Sequence, residues 1–543
     1  MMKTGKITKK LLIYGSVFLL IFSLFTSISL NVSAEETELF IEEWVAIYSG
    51  SGTTLERAKD IAVDQLGNVY VTGFGYIYGA YDIITIAYGP SGNILWEATY
   101  NGPANGNDYG EGIVVGSNGH IYVTGESMVG KSNFDYVTIA YDPQGNQQWL
   151  AIYNGKGPGE YSIEDITIDS NDNIYLTGIS NIGSTSDNIV TIKYDTSGIL
   201  QWSAFYSSHK IHIPHAMAVD SQGNVYIIGY THGGDSKPDY LTIKYDINGK
   251  QLWEVEYDGN EKSQNYANDI VLDSSGNIYV TGKSLLSGIY YDYFTIAYDS
   301  SGGTLWEARY DGPGKSHDYA TAITSDLNGN IYVTGYSMGS GTSFDISTVA
   351  YNSAGNQLWV ARYNGPGNSD DVGYDLAVDP FGNVIVTGLS FGSGTSYDSV
   401  TIAYDSLGNQ LWLGSYNGPE NKIDYTSVIA IDPMGNIYVT GASVNSASGY
   451  DYLTIKYSIS PISGTQNIIE NIEQFNLEEG TETSLVSKLE NAIKSIINDR
   501  PSALGQLEAF INEVEALRGN KLTTDQADEL IADAQLIIDN INN

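Results

Sequence analysis

The chain has 543 residues, with 64 acidic and 25 basic side chains, a formal charge of −39 and no cysteine. The lack of cysteine excludes disulfides, thiolate metal sites and cysteine nucleophiles. The acidity opposes binding to nucleic acid and to anionic membranes, whereas it favours solubility and attracts cations.

The first 34 residues have the pattern of an export signal. Four lysines within the first ten residues precede an uncharged run over residues 11–34, which ends in Val-Ser-Ala. A basic start, an apolar run and small residues at the cleavage site are typical of a secretory signal peptide. We therefore predict a secreted or cell-surface protein without membrane contact after cleavage. An uncleaved anchor is the alternative, since the run is long enough to span a bilayer.

Residues 40–458 consist of one repeated segment. A glycine that ends the second strand of each copy recurs at 51–53-residue spacing, at Gly73, Gly125, Gly178, Gly229, Gly282, Gly335, Gly388 and Gly441. A period of this size is typical of an array of supersecondary units. Alternating β-branched and aromatic residues between Gly, Asp and Asn turns predict an all-β unit.

Each copy predicts four strands, which in the clearest one cover residues 374–378, 383–387, 399–404 and 410–416. The turn Asp379-Pro380-Phe381-Gly382-Asn383 joins the first two strands, and Asp405 to Asn409 joins the last two. Aspartate can accept bonds from the backbone amides that follow it, and glycine supplies the positive φ of such hairpins.

The eight tryptophans predict how the array closes. They all belong to the fourth strand of a copy, but Trp44 precedes the first full copy, and the last copy ends at Tyr457 without a tryptophan strand. The chain thus begins with the strand that its last unit lacks. Such an exchange pairs the open sheet edges and closes a ring. We predict an all-β, eight-bladed β-propeller of four-stranded blades, closed by the N-terminal strand.

At this point the repeats resemble the SBBP-type β-propeller family of exported proteins. The motifs that carry the resemblance are GNxYVTG, DYxTIAYD and GNxLWxAxYNGPG, as at residues 276–282, 292–299 and 408–419. The family implies an extracellular scaffold without a defined activity, so it supplies no catalytic residues. Its name suggests seven blades, whereas this sequence has eight copies.

After a linker at residues 459–466, residues 467–543 predict a small all-α bundle. Tyrosine and tryptophan disappear, amphipathic patterns follow one another, and Thr523 with Gln526 forms a capping box before the last helix. SLVSKLENAI, AFINEV and LTTDQADELIADAQLII resemble a FIMAH-like helical module. That resemblance implies attachment or spacing.

Three groups of residues depart from the repeat and are candidate sites. The first comprises the aromatic residues Phe74, Tyr76 and Tyr78 in the loop of the first blade. Aromatic rings outside the repeat pattern are candidates for a platform that binds a sugar or another ligand. Most other tyrosines occupy repeat positions and are predicted to fill space between blades.

The second group lies in the fourth blade, which holds His209, His212, His215 and His232, with Asp235 nearby. Imidazoles on two loops that share a face predict a site for zinc or another divalent metal. The alternative is that these histidines have no function and arose by sequence drift in one copy of the repeat, because an exposed histidine has little effect on stability.

The third group appears when the copies are aligned. Asp60, Asp165, Asp269 and Asp375 recur in every second copy, whereas the others have Gly112, Ala216, Ala322 and Val428 there. Four carboxylates around the mouth of the channel could hold a hydrated cation such as calcium. The alternative is that each aspartate caps its own loop.

No catalytic constellation is recognisable. The sequence has no HExxH, and its matches to GxSxG (residues 335–339 and 388–392) and to GxxxxGKS (residues 125–132) lie inside the all-β repeats, without the strand-to-helix turn that these motifs need. We predict a monomeric scaffold for binding or display that has no catalytic activity and recognises a protein or glycan at its loop-rich face. The alternative is an extracellular hydrolase or lyase for polysaccharide, with carboxylates on that face and a metal at the histidine-rich blade.

Overall fold

The computed structural model describes residues 39–542, apart from 51–54, 78, 131–132, 156–159, 182–187, 209, 234–235, 260–262, 286–288, 447–448, 476 and 499. It contains eight four-stranded sheets, in each of which the strands pair in antiparallel order. Seven sheets use four consecutive strands, and the eighth has the order β1-β32-β31-β30. The prediction of an eight-bladed propeller closed by the N-terminal strand is therefore confirmed.

The first four blades have the following strands. Blade 1 contains β2 (Glu56–Val63), β3 (Val69–Ile77), β4 (Ala80–Tyr88) and β5 (Ile94–Tyr100). Blade 2 contains β6 (Asp108–Val115), β7 (Ile121–Met128), β8 (Phe134–Tyr141) and β9 (Gln147–Tyr153). Blade 3 contains β10 (Glu160–Ile168), β11 (Ile174–Asn181), β12 (Asn188–Tyr194) and β13 (Leu200–Tyr206). Blade 4 contains β14 (Ile211–Val219), β15 (Val225–Gly233), β16 (Ser236–Tyr245) and β17 (Gln251–Tyr257).

The other four blades repeat this plan. Blade 5 contains β18 (Asn265–Leu272), β19 (Ile278–Ser284), β20 (Asp292–Tyr298) and β21 (Thr304–Tyr310). Blade 6 contains β22 (Asp318–Ser325), β23 (Ile331–Met338), β24 (Phe344–Tyr351) and β25 (Gln357–Tyr363). Blade 7 contains β26 (Asp371–Val378), β27 (Val384–Phe391), β28 (Tyr397–Tyr404) and β29 (Gln410–Tyr416). Blade 8 contains β30 (Asp424–Ile431), β31 (Ile437–Asn445), β32 (Gly449–Ile459) and β1 (Phe40–Tyr48).

The predicted Asp-Gly-Asn turns form as the sequence indicates. Asp64 accepts hydrogen bonds from the amides of Leu66 and Asn68 with one carboxylate oxygen, and its other oxygen accepts from the Asn68 side chain and the Tyr70 hydroxyl. Gly67 has a φ of +76°. These turns lie at one end of the blades. The other end, the loop-rich face, carries the longer loops between second and third strands and between blades.

The hydrophobic core lies between neighbouring blades. Ala320, Ile323 and Val333 of blade 6, for example, are buried in one cluster with Tyr279 and Tyr293 of blade 5. The outer strands are joined by tryptophan. The Trp359 indole donates to the Ser406 carbonyl across 3.0 Å, in the turn of the next blade. Its ring packs on Gly408 of that turn.

The contact between Trp359 and Gly408 predicts a difference between two glycine substitutions. Gly382 and Gly408 have nearly the same φ, +81° and +83°. A Cβ on Gly408 would lie 2.6 Å from the Trp359 ring, whereas a Cβ on Gly382 would have no atom within 4 Å. We expect Gly408→Ala to lower the free energy of unfolding by about 1–3 kcal/mol more than Gly382→Ala, because only it overpacks the interface. Equal urea midpoints would contradict this role for Gly408.

The four helices belong to a second compact unit, which contains residue 460 and the residues after it. Its helices are α1 (Pro461–Gln474), α2 (Glu479–Asn498), α3 (Arg500–Leu517) and α4 (Thr524–Asn542). The capping box is confirmed, since the Thr523 amide donates to Gln526 and the Gln526 amide donates to Thr523. Helix α1 begins inside the predicted linker, because Pro461 fits the first helical turn. No helix among the described residues is long and apolar enough to cross a membrane.

Candidate functional site

Every inner strand has a β-bulge, which takes one residue out of the pairing and re-aims its side chain. In blade 1, Ala58 pairs with Gly73 and Asp60 pairs with Thr72, so Lys59 is the extra residue. The same irregularity occurs at the equivalent place in the other blades. The eight bulge residues are Lys59, Glu111, Glu164, His215, Asn268, Thr321, Tyr374 and Ser427.

The four alternating aspartates follow these bulges and join the blades in pairs. One oxygen of Asp165 accepts from the Ile166 amide, and the other accepts from the Met217 amide of blade 4, both across 2.7 Å. Asp60, Asp269 and Asp375 bond in the same way to the next blade, through the amides of Ile113, Ile323 and Ile429. Inner strands that carry an aspartate thus alternate with inner strands whose backbone amides donate to it.

The converging inner strands remove water from these carboxylates. Loss of hydration raises the pKa of Asp165 to about 8, with the charges of Asp60 and Asp269 adding to the effect. It also raises the pKa of Asp60 and Asp269 to about 7 and that of Asp375 to about 6. Cation binding by these four residues stays a prediction. Their oxygens already accept backbone hydrogen bonds, which the loop-capping alternative only partly foresaw.

The structure does not bring the described histidines of blade 4, His212, His215 and His232, into one group of metal ligands. His212 is fully buried against Tyr206 of blade 3, with its Nε2 2.7 Å from the Ser208 hydroxyl. His215 instead stacks on Tyr230, which contacts Tyr266 of blade 5. His232 is exposed, and His209 and Asp235 lie outside the described residues. The predicted metal site at these residues therefore remains untested. Burial lowers the pKa of both His212 and His215.

Only one group of three ligating side chains lies within 4.8 Å among the described residues, and it contains Asp292, Asp311 and Asp318. Asp292 forms an ion pair with Arg309, and Asp318 accepts a hydrogen bond from the Gly312 amide. These carboxylates have partners in the fold, so the group is not an evident metal site.

The aromatic residues of the first blade form a contact cluster. Phe74 meets Tyr81 and Tyr109 edge-on, with ring centroids 5.5 and 5.0 Å apart, and only 8% of Phe74 is exposed. Tyr76 packs against Tyr81 and is 36% exposed. Tyr78 lies outside the described residues. Phe74 therefore supports its neighbours, whereas Tyr76 offers more surface.

A second and larger set of rings lies on the loop-rich side of blades 4, 5 and 6. We call it the tyrosine arc. Neighbouring centroids lie 4.9–6.1 Å apart, and every member is partly exposed. His317 stacks on Tyr319 at 5.6 Å with an interplanar angle of 11°. The arc consists of Tyr230, Tyr266, Tyr291, Tyr319, Tyr336 and Phe344.

A group of carboxylates lies on the same side in blades 2 and 3. Glu111 pairs with Lys59 across 2.8 Å. Desolvation raises the pKa of Glu126 to about 7. Partial desolvation and the charge of Glu126 raise the pKa of Glu164 to about 7, although Glu164 keeps exposed surface. The pKa of both carboxyl groups is thus raised toward neutral pH.

Sequence reasoning missed the arc and this carboxylate group. Tyr266 and Tyr319 stand at a repeat position, so they were assigned to packing between blades. Glu126 could have been found from the sequence. The residue after the repeat glycine is charged in only two blades, as Glu126 in blade 2 and Lys283 in blade 5. Departure from the repeat was the available signal.

Comparison with known proteins supports the repeat assignment. A family model described as the SBBP β-propeller repeat matches residues 43–74, 202–235, 259–285 and 312–341. An uncharacterized WD repeat-containing protein, L264 of Acanthamoeba polyphaga mimivirus, is 24% identical, and the match covers 56% of this chain and 26% of that protein. The chain thus spans about a quarter of the length of this curated relative.

Solved structures of low sequence identity are also similar. An ulvan lyase, from a new family of polysaccharide lyases, is 10% identical with a TM-score of 0.40, covering 70% of this chain and 96% of that one. The β-propeller domain of the Trilobed protease from Pyrococcus furiosus is 12% identical with a TM-score of 0.38, covering 67% and 100%. This chain is therefore a β-propeller with eight sheets, four segments of which match the SBBP β-propeller repeat.

Proposed function

We propose that the propeller is a non-catalytic binding module that recognises a glycan on its loop-rich face. The tyrosine arc is the observation that carries this proposal. Its rings are partly exposed and rest on each other, so they keep their geometry without a ligand. Tyrosine combines an apolar face, which suits the C–H surface of a sugar, with a hydroxyl that forms hydrogen bonds.

Replacement of Tyr319 by alanine tests the binding surface. Tyr319 contacts Tyr291, Tyr336 and His317, so its loss should remove the centre of the arc. We expect binding to the best glycan found on an array to weaken by about five- to tenfold, as loss of an aromatic contact of roughly 1 kcal/mol predicts. Calorimetric titration measures the change.

Tyr425→Ala is the matched control, because Tyr425 has the same repeat position in blade 8 and lies outside the arc. It should bind like the unaltered protein. Failure of every glycan on the array to bind would refute glycan recognition and favour a protein ligand.

We also propose that the protein is exported and acts as a monomer outside the cell or at its surface. The lysine-rich start and the apolar run that follows support export. The four helices after residue 460 would provide attachment or spacing, in keeping with their FIMAH-like sequence.

A hydrolase or lyase acting on polysaccharide is the second candidate. The observation that favours it is the pair Glu126 and Glu164, since carboxyl groups with a pKa of about 7 suit proton transfer at neutral pH. Release of reducing or unsaturated ends from a bound polysaccharide, lost in Glu126→Gln, would favour catalysis over simple binding.

A further inference from the structure

Lys283 occupies an unusual position at the centre of the tyrosine arc. It follows the repeat glycine of blade 5, where the other blades have Phe74, Glu126, Ile179, Tyr230, Tyr336, Leu389 and Ala442. Its Nζ lies over three rings, 4.9 Å from the centroid of Tyr266, 5.4 Å from Tyr291 and 5.0 Å from Tyr319. Tyr319 comes from blade 6, so the lysine joins two blades.

Three other lysines among the described residues of the propeller lie over a tyrosine ring, and each has an oxygen partner. Lys193 lies 3.7 Å from the Asp169 carboxylate. Lys244 and Lys456 donate to the carbonyls of Ser300 and Pro90. Among the residues that the structure describes, Lys283 has no hydrogen bond or ion pair, only the three rings.

An ammonium group in this environment lacks part of its stabilisation. The rings remove water from it, and this desolvation lowers the pKa of Lys283. A cation–π contact offers about 0.5–2 kcal/mol, which replaces lost hydration only in part. A carboxylate would be the usual remedy, and the chain has 64 acidic side chains. Nevertheless, the described neighbours of the Lys283 ammonium are three uncharged tyrosine rings and not a carboxylate.

We infer that Lys283 anchors an anionic substituent of the ligand, a uronic acid carboxylate or a sulfate ester, while the sugar ring contacts the neighbouring tyrosines. This inference rests on the proposed glycan binding and specifies the class of glycan. The anion would supply the ion-pair partner that Lys283 does not have within the described residues, through a charge-assisted hydrogen bond. The strong negative charge elsewhere on the chain would repel an acidic glycan. Binding of such a glycan therefore needs a local positive charge that no carboxylate of the chain neutralises.

Two matched pairs of polysaccharides test the inference with the full-length protein. Polygalacturonate is compared with its carboxyl-reduced form, and dextran sulfate is compared with dextran, which separates carboxylate from sulfate recognition. We expect the acidic member of one pair to bind at least about tenfold more tightly than its neutral counterpart, as a charge-assisted contact predicts. Lys283→Gln should abolish that difference, and Lys283→Arg should keep most of it.

Lys244→Gln is the matched control, because Lys244 also lies over a tyrosine ring but donates to a carbonyl at the turn end of the blades. It should bind like the unaltered protein. Unfolding temperatures of all three variants establish that they fold. Equal binding of acidic and neutral members, or undiminished binding by Lys283→Gln, would overturn the anion anchor and leave glycan binding standing. Absence of binding to all four polymers would refute both the anion anchor at Lys283 and glycan binding for these polymers.

Discussion

Replacing Trp44 by alanine is expected to lower the free energy of unfolding by about 3 kcal/mol, as loss of a packed tryptophan predicts. Trp44 lies on β1, the strand that completes blade 8. Its indole donates to the Pro90 carbonyl of blade 1 across 3.0 Å, and its ring packs near Tyr88 and Tyr438 at 5.8 and 6.4 Å. The change therefore weakens the one interface that closes the ring. Urea titration followed by tryptophan fluorescence measures it.

Trp306→Ala separates closure from packing. Trp306 has the same contacts inside the array, with its indole 3.0 Å from the Ser353 carbonyl and its ring near Tyr279 and Tyr351. Both variants should lose similar stability. Only Trp44→Ala should also lose hydrogen-exchange protection along β32, because β1 has no hairpin to that strand and can detach. A loss below about 1 kcal/mol for Trp44→Ala, or intact protection of β32, would contradict closure by β1.

The second large effect concerns pH. The folded state raises the pKa of Asp60, Asp165, Asp269 and Asp375 to about 6–8, whereas an unfolded aspartate titrates near 3.9. Between about pH 4 and pH 8 the folded state therefore binds more protons, and its stability falls as pH rises. Each linked proton contributes on the order of 1.4 kcal/mol per pH unit. Since these residues keep some exposed surface, we expect a total loss of a few kcal/mol from pH 5 to pH 8.

The control must separate the ring of aspartates from the general charge of the chain, because an acidic protein also repels itself more at high pH. Asp165→Asn should reduce the slope of unfolding free energy against pH. Asp405→Asn, in an exposed turn, should leave the slope unchanged, and Asn352 shows that asparagine can form the same turn. Stability that is constant or rises from pH 5 to pH 8 would contradict the raised pKa values.

The fold was predictable because each of its rules is local or periodic. Asp379, Gly382 and Asn383 define a hairpin within five residues, and the same hairpin recurs at nearly constant spacing. The position of Trp44 before the first copy and the missing tryptophan strand after Tyr457 sufficed to predict closure. The start of α1 was placed too late, since the polar residues of its first turns read as a linker.

The candidate site was predictable only in part. Repeat alignment singled out Phe74, Tyr76 and the alternating aspartates, but it could not show what their side chains touch. The aspartates proved to bond to the next blade, and His212 and His215 proved to lie against different blades. Tyr319 looked like a packing residue, yet it forms one wall around Lys283.

The sequence by itself therefore determined the strand order, the number of blades and the closure, because these depend on turn chemistry, alternation and period. Only the tertiary structure decided which side chains meet at the loop-rich face. Lys283 and Tyr291 are eight residues apart in sequence, and Tyr319 follows 28 residues later in another blade. They meet because neighbouring blades converge on one axis, and no local pattern encodes that convergence.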